Sequence, residues 1–99
     1  MRAIIVGAGA SGLLHAMSYR AHGVSIAGVY DVDPGKSAAF VSLVGGCALP
    51  SLEACDGVDA RFVSVTSPPS FHVDQAARLA REGRVLVVEK PVATTLAGL

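Results

Sequence analysis

A short apolar run at residues 3–6 leads directly into glycines with the spacing G-x-G-x-x-G. A buried strand that turns sharply into a helix needs this spacing. Gly7 permits the tight turn, Gly9 lets a pyrophosphate approach the backbone, and Gly12 lets the helix lie close to the strand. The amides and the positive dipole end at such a helix start favour a phosphate anion without a basic side chain. The predicted cofactor-binding turn comprises Gly7, Ala8, Gly9, Ala10, Ser11 and Gly12.

Composition and charge exclude several classes of function. Of 99 residues, 52% are hydrophobic and 16% are charged, and eight basic residues balance eight acidic ones. This is a globular composition, and without net charge or a basic cluster we expect neither nucleic acid nor membrane as a partner. The opening apolar run is too short for a signal peptide or a membrane span, so we expect a cytoplasmic protein. Cys47 and Cys55 lack zinc-site spacing, so we predict two buried thiols and no metal site.

Helix and strand patterns alternate through the first part of the chain. The helix after the glycine turn is predicted to bury one face, formed by Ala10, Leu13, Leu14, Met17 and Ala21. Gly23 is expected to end this helix, with His15 and His22 at its surface or its end. Residues 24–30, rich in β-branched and apolar side chains, predict a buried strand.

Asp31 follows this second strand and lies nineteen residues after Gly12. An acidic side chain at this place in a dinucleotide-binding fold accepts hydrogen bonds from ribose hydroxyls. We therefore predict that Asp31 binds ribose and that NAD is preferred over NADP, whose 2'-phosphate Asp31 repels. Lys36, one helical turn further on, leaves NADP open because it can reach a phosphate.

The rest of the chain continues the alternation. Asp33 and Pro34 are typical of a helix start, and that helix is expected to end at Gly45. Further strands are predicted at residues 47–49, 60–65 and 84–88, with a short helical turn after Pro50 and a helix before Gly83. Right-handed crossovers then predict a doubly wound parallel α/β sheet of the Rossmann type, ordered 3-2-1-4-5. Residues 7–12, 66–69 and 89–91 follow its first, fourth and fifth strands and are expected to meet in one crevice.

The segments G-A-G-A-S-G, T-S-P-P-S-F-H and E-G-R-V-L-V-V-E-K-P, together with Asp31, resemble the N-terminal domain of the Gfo/Idh/MocA family of oxidoreductases. The resemblance covers essentially the whole chain, and its second half is the most specific part, where His72 follows Pro68 by four residues. It implies a nicotinamide dinucleotide, a sugar, polyol or related small-molecule substrate, and Lys90 as the catalytic lysine. It also implies a His and an Asp in a C-terminal substrate domain that this sequence lacks. Residues 1–99 are thus expected to be a truncated NAD(P)-binding domain.

The polar residues at the predicted crevice suit hydride transfer. An ammonium group at Lys90 stabilises the negative charge that develops on a substrate oxygen as hydride moves. Glu89 either orients that lysine or binds the cofactor, although neighbouring residues on a strand point to opposite faces. The hydroxyl groups of residues 66 and 67 can bind ribose or phosphate, or else cap the loop that follows the fourth strand. Outside the glycine turn, the predicted cofactor contacts are Asp31, Thr66, Ser67, Pro68, His72, Glu89 and Lys90.

Two other functions stay open at this point. Residues 7–16 also fit the longer G-x-G-x-x-G-x-x-x-A pattern common in FAD-binding domains, although the E-K-P ending argues against a flavoprotein. The chain can also be a stand-alone dinucleotide-binding or sensing module without catalysis. In either case the apolar fifth strand, residues 85–88, is expected to form a sheet edge that promotes a homo-oligomer or association with another chain.

Overall fold

The five strands lie parallel in one sheet, in a computed structural model that describes residues 1–66, Leu79 and residues 84–88. The strands are β1 (Arg2–Val6), β2 (Ser25–Tyr30), β3 (Cys47–Ala48), β4 (Phe62–Val65) and β5 (Val85–Val88). Their order is β3-β2-β1-β4-β5, and helices α1 (Ala10–Ala21) and α2 (Pro34–Val44) and a 3-10 helix (Glu53–Gly57) connect them. The predicted Rossmann-type sheet order is therefore confirmed.

Local chemistry sets the ends of both α-helices. At the start of α2 the Asp33 carboxylate accepts a hydrogen bond from the Gly35 amide (2.9 Å), and Pro34 occupies the first helical position. Gly45, with φ of 88°, ends α2 as predicted. At the end of α1, Nδ1 of His22 donates to the Ser18 carbonyl (2.8 Å), which confirms the predicted capping position of this histidine.

Strand β1 lies in the middle of the sheet and contributes to cores on both faces. Its side chains alternate between the faces, and those of Ile4, Ile5 and Val6 are fully buried. One core lies under α1 and α2 and contains Ala3, Ile5, Ala16, Ile26, Val29, Phe40 and Val44. The other core lies on the opposite face and contains Ile4, Val6, Cys55, Ala60, Val63, Val65 and Leu79. This two-sided burial explains why residues 3–6 of β1 form a continuous apolar run.

Helix α1 buries a different face from the one predicted. Leu14 is 68% exposed and Met17 is 57% exposed, whereas Gly12 and Ala16 are buried. Because only three residues separate α1 from the end of β1, the side of the helix nearest the sheet has room only for small side chains. Gly12 and Ala16, one turn apart, therefore face the sheet. Of the larger residues on the predicted face, Leu13 packs half-buried against the core, whereas Leu14 and Met17 remain outside.

The buried side of α1 also carries a polar contact with the sheet. Nδ1 of His15 lies 2.9 Å from Oγ of Ser64, and the Tyr19 hydroxyl lies 2.7 Å from the same oxygen, which is in a fully buried residue of β4. Burial raises the pKa of the Tyr19 phenol above its ordinary 10.0, and the hydrogen bond to Ser64 acts in the opposite direction. His15 is half-exposed, so it lies partly at the surface as predicted, and its ring also contacts β4.

Several smaller predictions differ from the structure. Strand β4 begins at Phe62, two residues later than expected, and the helical turn predicted after Pro50 is a 3-10 helix that begins at Glu53. Of the two thiols expected to be buried, only that of Cys55 is buried, because Cys47 lies on the short outer strand β3. Of the helix predicted before Gly83, only Leu79 belongs to the described residues.

Candidate dinucleotide-binding site

The candidate site lies at the point where the strand order reverses, at the carboxyl ends of β1, β2 and β4. Strand β1 pairs with β2 on one side and with β4 on the other, in a register that aligns their last residues. These last residues are Val6, Tyr30 and Val65. Gly7, Asp31 and Thr66 therefore emerge side by side, in the crevice where dinucleotides bind to sheets of this kind.

Gly7 makes the tight turn that the sequence predicts. Its φ is 104°, a conformation that favours glycine over residues with a side chain. Its amide donates to the carbonyl of Tyr30 (2.8 Å), so the turn is held against the end of β2. The chain then enters α1 within three residues.

The other two glycines of the motif meet opposite steric conditions. A Cβ atom added to Gly9 would have no atom within 4 Å, so the space beside this residue is open. A Cβ atom added to Gly12 would lie 2.1 Å from the Gly7 carbonyl oxygen and 3.2 Å from a methyl group of Ile5. The predicted close packing of Gly12 is thus confirmed, and Gly9 leaves room for a ligand at the backbone.

The first turn of α1 begins beside this open space with amides that the helix itself does not satisfy. The first backbone hydrogen bond of the helix runs from the Leu13 amide to the Gly9 carbonyl (3.0 Å), so the preceding amides have no partner inside the helix. Within the described residues, no side chain caps Gly9, and the first turn carries no acidic residue. This helix end therefore keeps the positive partial charge that attracts a phosphate.

Asp31 is half-buried and bonded through both carboxylate oxygens. Its Oδ2 accepts from the Ala8 amide (2.8 Å) and its Oδ1 accepts from the Asp33 amide (2.8 Å). These bonds hold the carboxylate beside the glycine turn. Each oxygen keeps a further lone pair, so the group can still accept hydrogen bonds from ribose hydroxyls.

The Thr66 hydroxyl group donates to backbone carbonyls at the end of β1. The hydroxyl oxygen lies 2.9 Å from the Gly7 carbonyl and 3.1 Å from the Val6 carbonyl, and it is the donor in both contacts. Because a threonine hydroxyl has one proton, this group can accept from a ribose hydroxyl but cannot donate to a phosphate while these contacts persist. Sequence reasoning missed the contact with the glycine turn, for which the only signal is a hydroxyl residue directly after the fourth strand.

The remaining predicted site residues lie outside the described residues. They are Ser67, Pro68, His72, Glu89 and Lys90.

Within the described part of the chain, no group of three or more His, Cys, Asp or Glu side chains is placed to hold a metal ion. No helix in this part is long and apolar enough to cross a membrane.

The family match covers the whole chain. Residues 1–99 match the GFO_IDH_MocA model, described as an oxidoreductase family with an NAD-binding Rossmann fold. The chain belongs to this family. The expected resemblance is confirmed, and an NAD-binding rather than an FAD-binding family accounts for the glycine pattern.

Solved structures of dehydrogenases share the fold. UDP-N-acetylglucosamine 3-dehydrogenase GnnA from Acidithiobacillus ferrooxidans is 30% identical, with a TM-score of 0.82 over 99% of this chain and 34% of that one. GenD2 from gentamicin A biosynthesis, in complex with NAD, is 29% identical, with a TM-score of 0.85 over 99% and 30% of the two chains. The WlbA dehydrogenase from Bordetella pertussis, in complex with NADH and UDP-GlcNAcA, is 29% identical, with a TM-score of 0.82 over 94% and 29%.

The chain thus spans about a third of the length of these structures. No curated protein sequence matches it significantly.

Proposed function

We propose that this chain is the cofactor-binding part of an NAD-dependent oxidoreductase. The reaction transfers hydride between nicotinamide and a hydroxyl or carbonyl carbon of a sugar, polyol or related small molecule. The observation that carries the proposal is the open backbone at Gly9, at an uncapped helix start beside the Asp31 carboxylate. The similarity to dehydrogenases crystallised with NAD, and with NADH and a UDP-sugar, supports both the cofactor and the class of substrate.

Each part of the site has a separate task in this proposal. The amides at the start of α1 bind the pyrophosphate, and Asp31 binds a ribose. By family resemblance Lys90, two residues after the end of β5, is the catalytic lysine that stabilises charge on the substrate oxygen. The predicted contacts from Ser67, Pro68, His72 and Glu89 complete the cofactor site. Because the resemblance implies further catalytic residues in a second domain, residues 1–99 alone are expected to bind cofactor weakly and to turn over no substrate.

We expect Asp31→Ser to remove the preference for NAD over NADP. The substitution removes the carboxylate that accepts from ribose hydroxyls and repels a 2'-phosphate, so NAD affinity should fall about tenfold while NADP affinity stays equal or rises. Calorimetric titration of both cofactors against both proteins measures the effect. Tighter binding of NADP than of NAD by the unsubstituted protein would overturn the predicted preference.

Asp33→Ser is the matched control for this experiment. It removes the same charge two residues away, and serine preserves the capping oxygen at the start of α2. NAD affinity should change by less than about twofold in this variant, since a serine cap replaces an aspartate cap at little cost. An equal loss of NAD affinity in both variants would show that only the general negative charge matters.

We further propose that the chain self-associates through β5. Strand β5 pairs with β4 and lies at the outer position of the described sheet, and Val85 and Val87 are 39% and 37% exposed. An apolar edge strand favours pairing with another chain, and a charge on it opposes pairing.

We therefore expect dimers or larger species that Val87→Lys converts to monomers in sedimentation velocity. Leu43→Lys, at a 68% exposed position on α2, should leave association unchanged, and a monomeric unsubstituted chain would contradict the proposal.

We also propose that the protein is cytoplasmic. The Cys47 thiol is exposed and forms no disulfide within the described residues, as is typical of a protein in a reducing compartment.

A further inference from the structure

We propose that Thr66 is a positioning residue for the cofactor-binding turn. Its hydroxyl group holds the carbonyl of Gly7 and thereby orients the amides that follow toward the cofactor pyrophosphate. This inference rests on the proposed binding of NAD to the glycine turn. It assigns to β4 a role in a turn that lies 59 residues earlier in the chain.

The peptide group that joins Gly7 to Ala8 is held at both of its polar atoms. Its carbonyl oxygen accepts from the Thr66 hydroxyl at 2.9 Å, and its N–H donates to Asp31 Oδ2 at 2.8 Å. Thr66 follows β4 and Asp31 follows β2, so the two bonds come from opposite sides of β1. Together they fix the plane of this peptide across the crevice.

The orientation of this peptide matters because only Ala8 separates it from Gly9, where the backbone is open to a ligand. Gly7 has a φ of 104° and no side chain, so steric restriction of its backbone is weak and hydrogen bonds must set its orientation. The Thr66 amide also donates to the Val6 carbonyl (2.7 Å), which places the residue firmly at the end of β4. Loss of the hydroxyl therefore releases the carbonyl side of the peptide while β4 itself stays in place.

The same contact also explains why Gly12 has no room for a side chain. A Cβ atom there would lie 2.1 Å from the Gly7 carbonyl oxygen and 3.0 Å from the Thr66 hydroxyl oxygen. The hydroxyl, the carbonyl and the start of α1 thus pack against one another. A displacement of the Gly7 carbonyl oxygen therefore shifts the start of α1, whose amides bind the phosphate in the proposed function.

Thr66→Val and Thr66→Ser separate the hydroxyl group from the shape of the side chain. Valine keeps the shape and removes the donor, so NAD should bind about five- to tenfold more weakly, as expected when a buried carbonyl loses its partner. Serine keeps the donor, so the NAD affinity of the Thr66→Ser variant should stay within about twofold of that of the unsubstituted protein. Hydrogen exchange of the Ala8 amide, measured by NMR without cofactor, should accelerate in the valine variant only.

A buried hydroxyl group elsewhere in the fold provides the control for general destabilisation. Ser37 is 2% exposed and donates to the Pro34 carbonyl within α2 (3.1 Å). Ser37→Ala should lower the melting temperature without changing the Kd for NAD or Ala8 exchange. An unchanged Kd in Thr66→Val, or an equal loss in Thr66→Ser, would overturn the positioning role. If the unsubstituted protein fails to bind NAD, the proposed function fails, and Ala8 exchange still decides whether Thr66 holds the turn.

Discussion

Gly9→Val is expected to abolish NAD binding without unfolding the protein. Gly9 has φ of −99° and ψ of −164°, an extended conformation that valine also adopts, and a Cβ atom there would meet nothing within 4 Å. The valine side chain instead fills the space through which the pyrophosphate approaches. We expect the Kd for NAD to rise at least about 100-fold, since hydrogen bonds to a charged phosphate contribute about 1.5–3 kcal/mol each.

Gly57→Val is the matched control for this loss. Gly57 ends the 3-10 helix, is exposed, and also has no atom within 4 Å of an added Cβ. Calorimetric titration with NAD and thermal unfolding by circular dichroism should show normal affinity in Gly57→Val and a normal melting temperature in both variants. Unchanged affinity in Gly9→Val would mean that the glycine motif serves packing alone.

Gly12→Ala, in contrast to Gly9→Val, should cause a large loss of stability. The added methyl group would lie 2.1 Å from a backbone oxygen, and neither the turn at Gly7 nor the end of β1 can move away without breaking bonds to neighbouring strands. We expect the free energy of unfolding to fall by about 3 kcal/mol, as for an overpacked core. For a chain of this length, the melting temperature should fall by roughly 10–20 °C.

Gly9→Ala provides the comparison for the stability measurement. It adds the same methyl group three residues earlier, where the space is open, so its melting temperature should stay within a few degrees of the unsubstituted value. Differential scanning calorimetry of the two variants tests the contrast. Equal melting temperatures would show that α1 can shift outward at Gly12, and that close packing there is not required for folding.

Features governed by local chemistry could be predicted from the sequence. Asp33 with Pro34 starts α2 because an acidic side chain caps free amides and proline suits the first helical position. The turn at Gly7 needs a positive φ, and the apolar run before it is long enough only for a buried strand. From alternating strands and helices, the handedness of the crossovers then leads to the sheet order.

The face that α1 buries depends on tertiary contacts. Its apolar residues at the helical period offer one candidate face, and its small residues offer another. The hydrophobic effect favours burying Leu14 and Met17, but where α1 lies closest to β1 only the small residues Gly12 and Ala16 are fully buried. This distance is a property of the assembled sheet, so the periodicity of the sequence could not reveal it.

The hydrogen bonds that shape the site also depend on the fold. Asp31 lies 23 residues from its partner Ala8, and Thr66 lies 59 residues from Gly7. The sequence indicated which polar residues would reach the crevice, because each follows a strand. Whether a carboxylate or a hydroxyl there meets a ligand or the backbone depends on the register of β2 and β4 against β1. That register arises only when the strands pair, and it brings both groups onto one peptide of the turn.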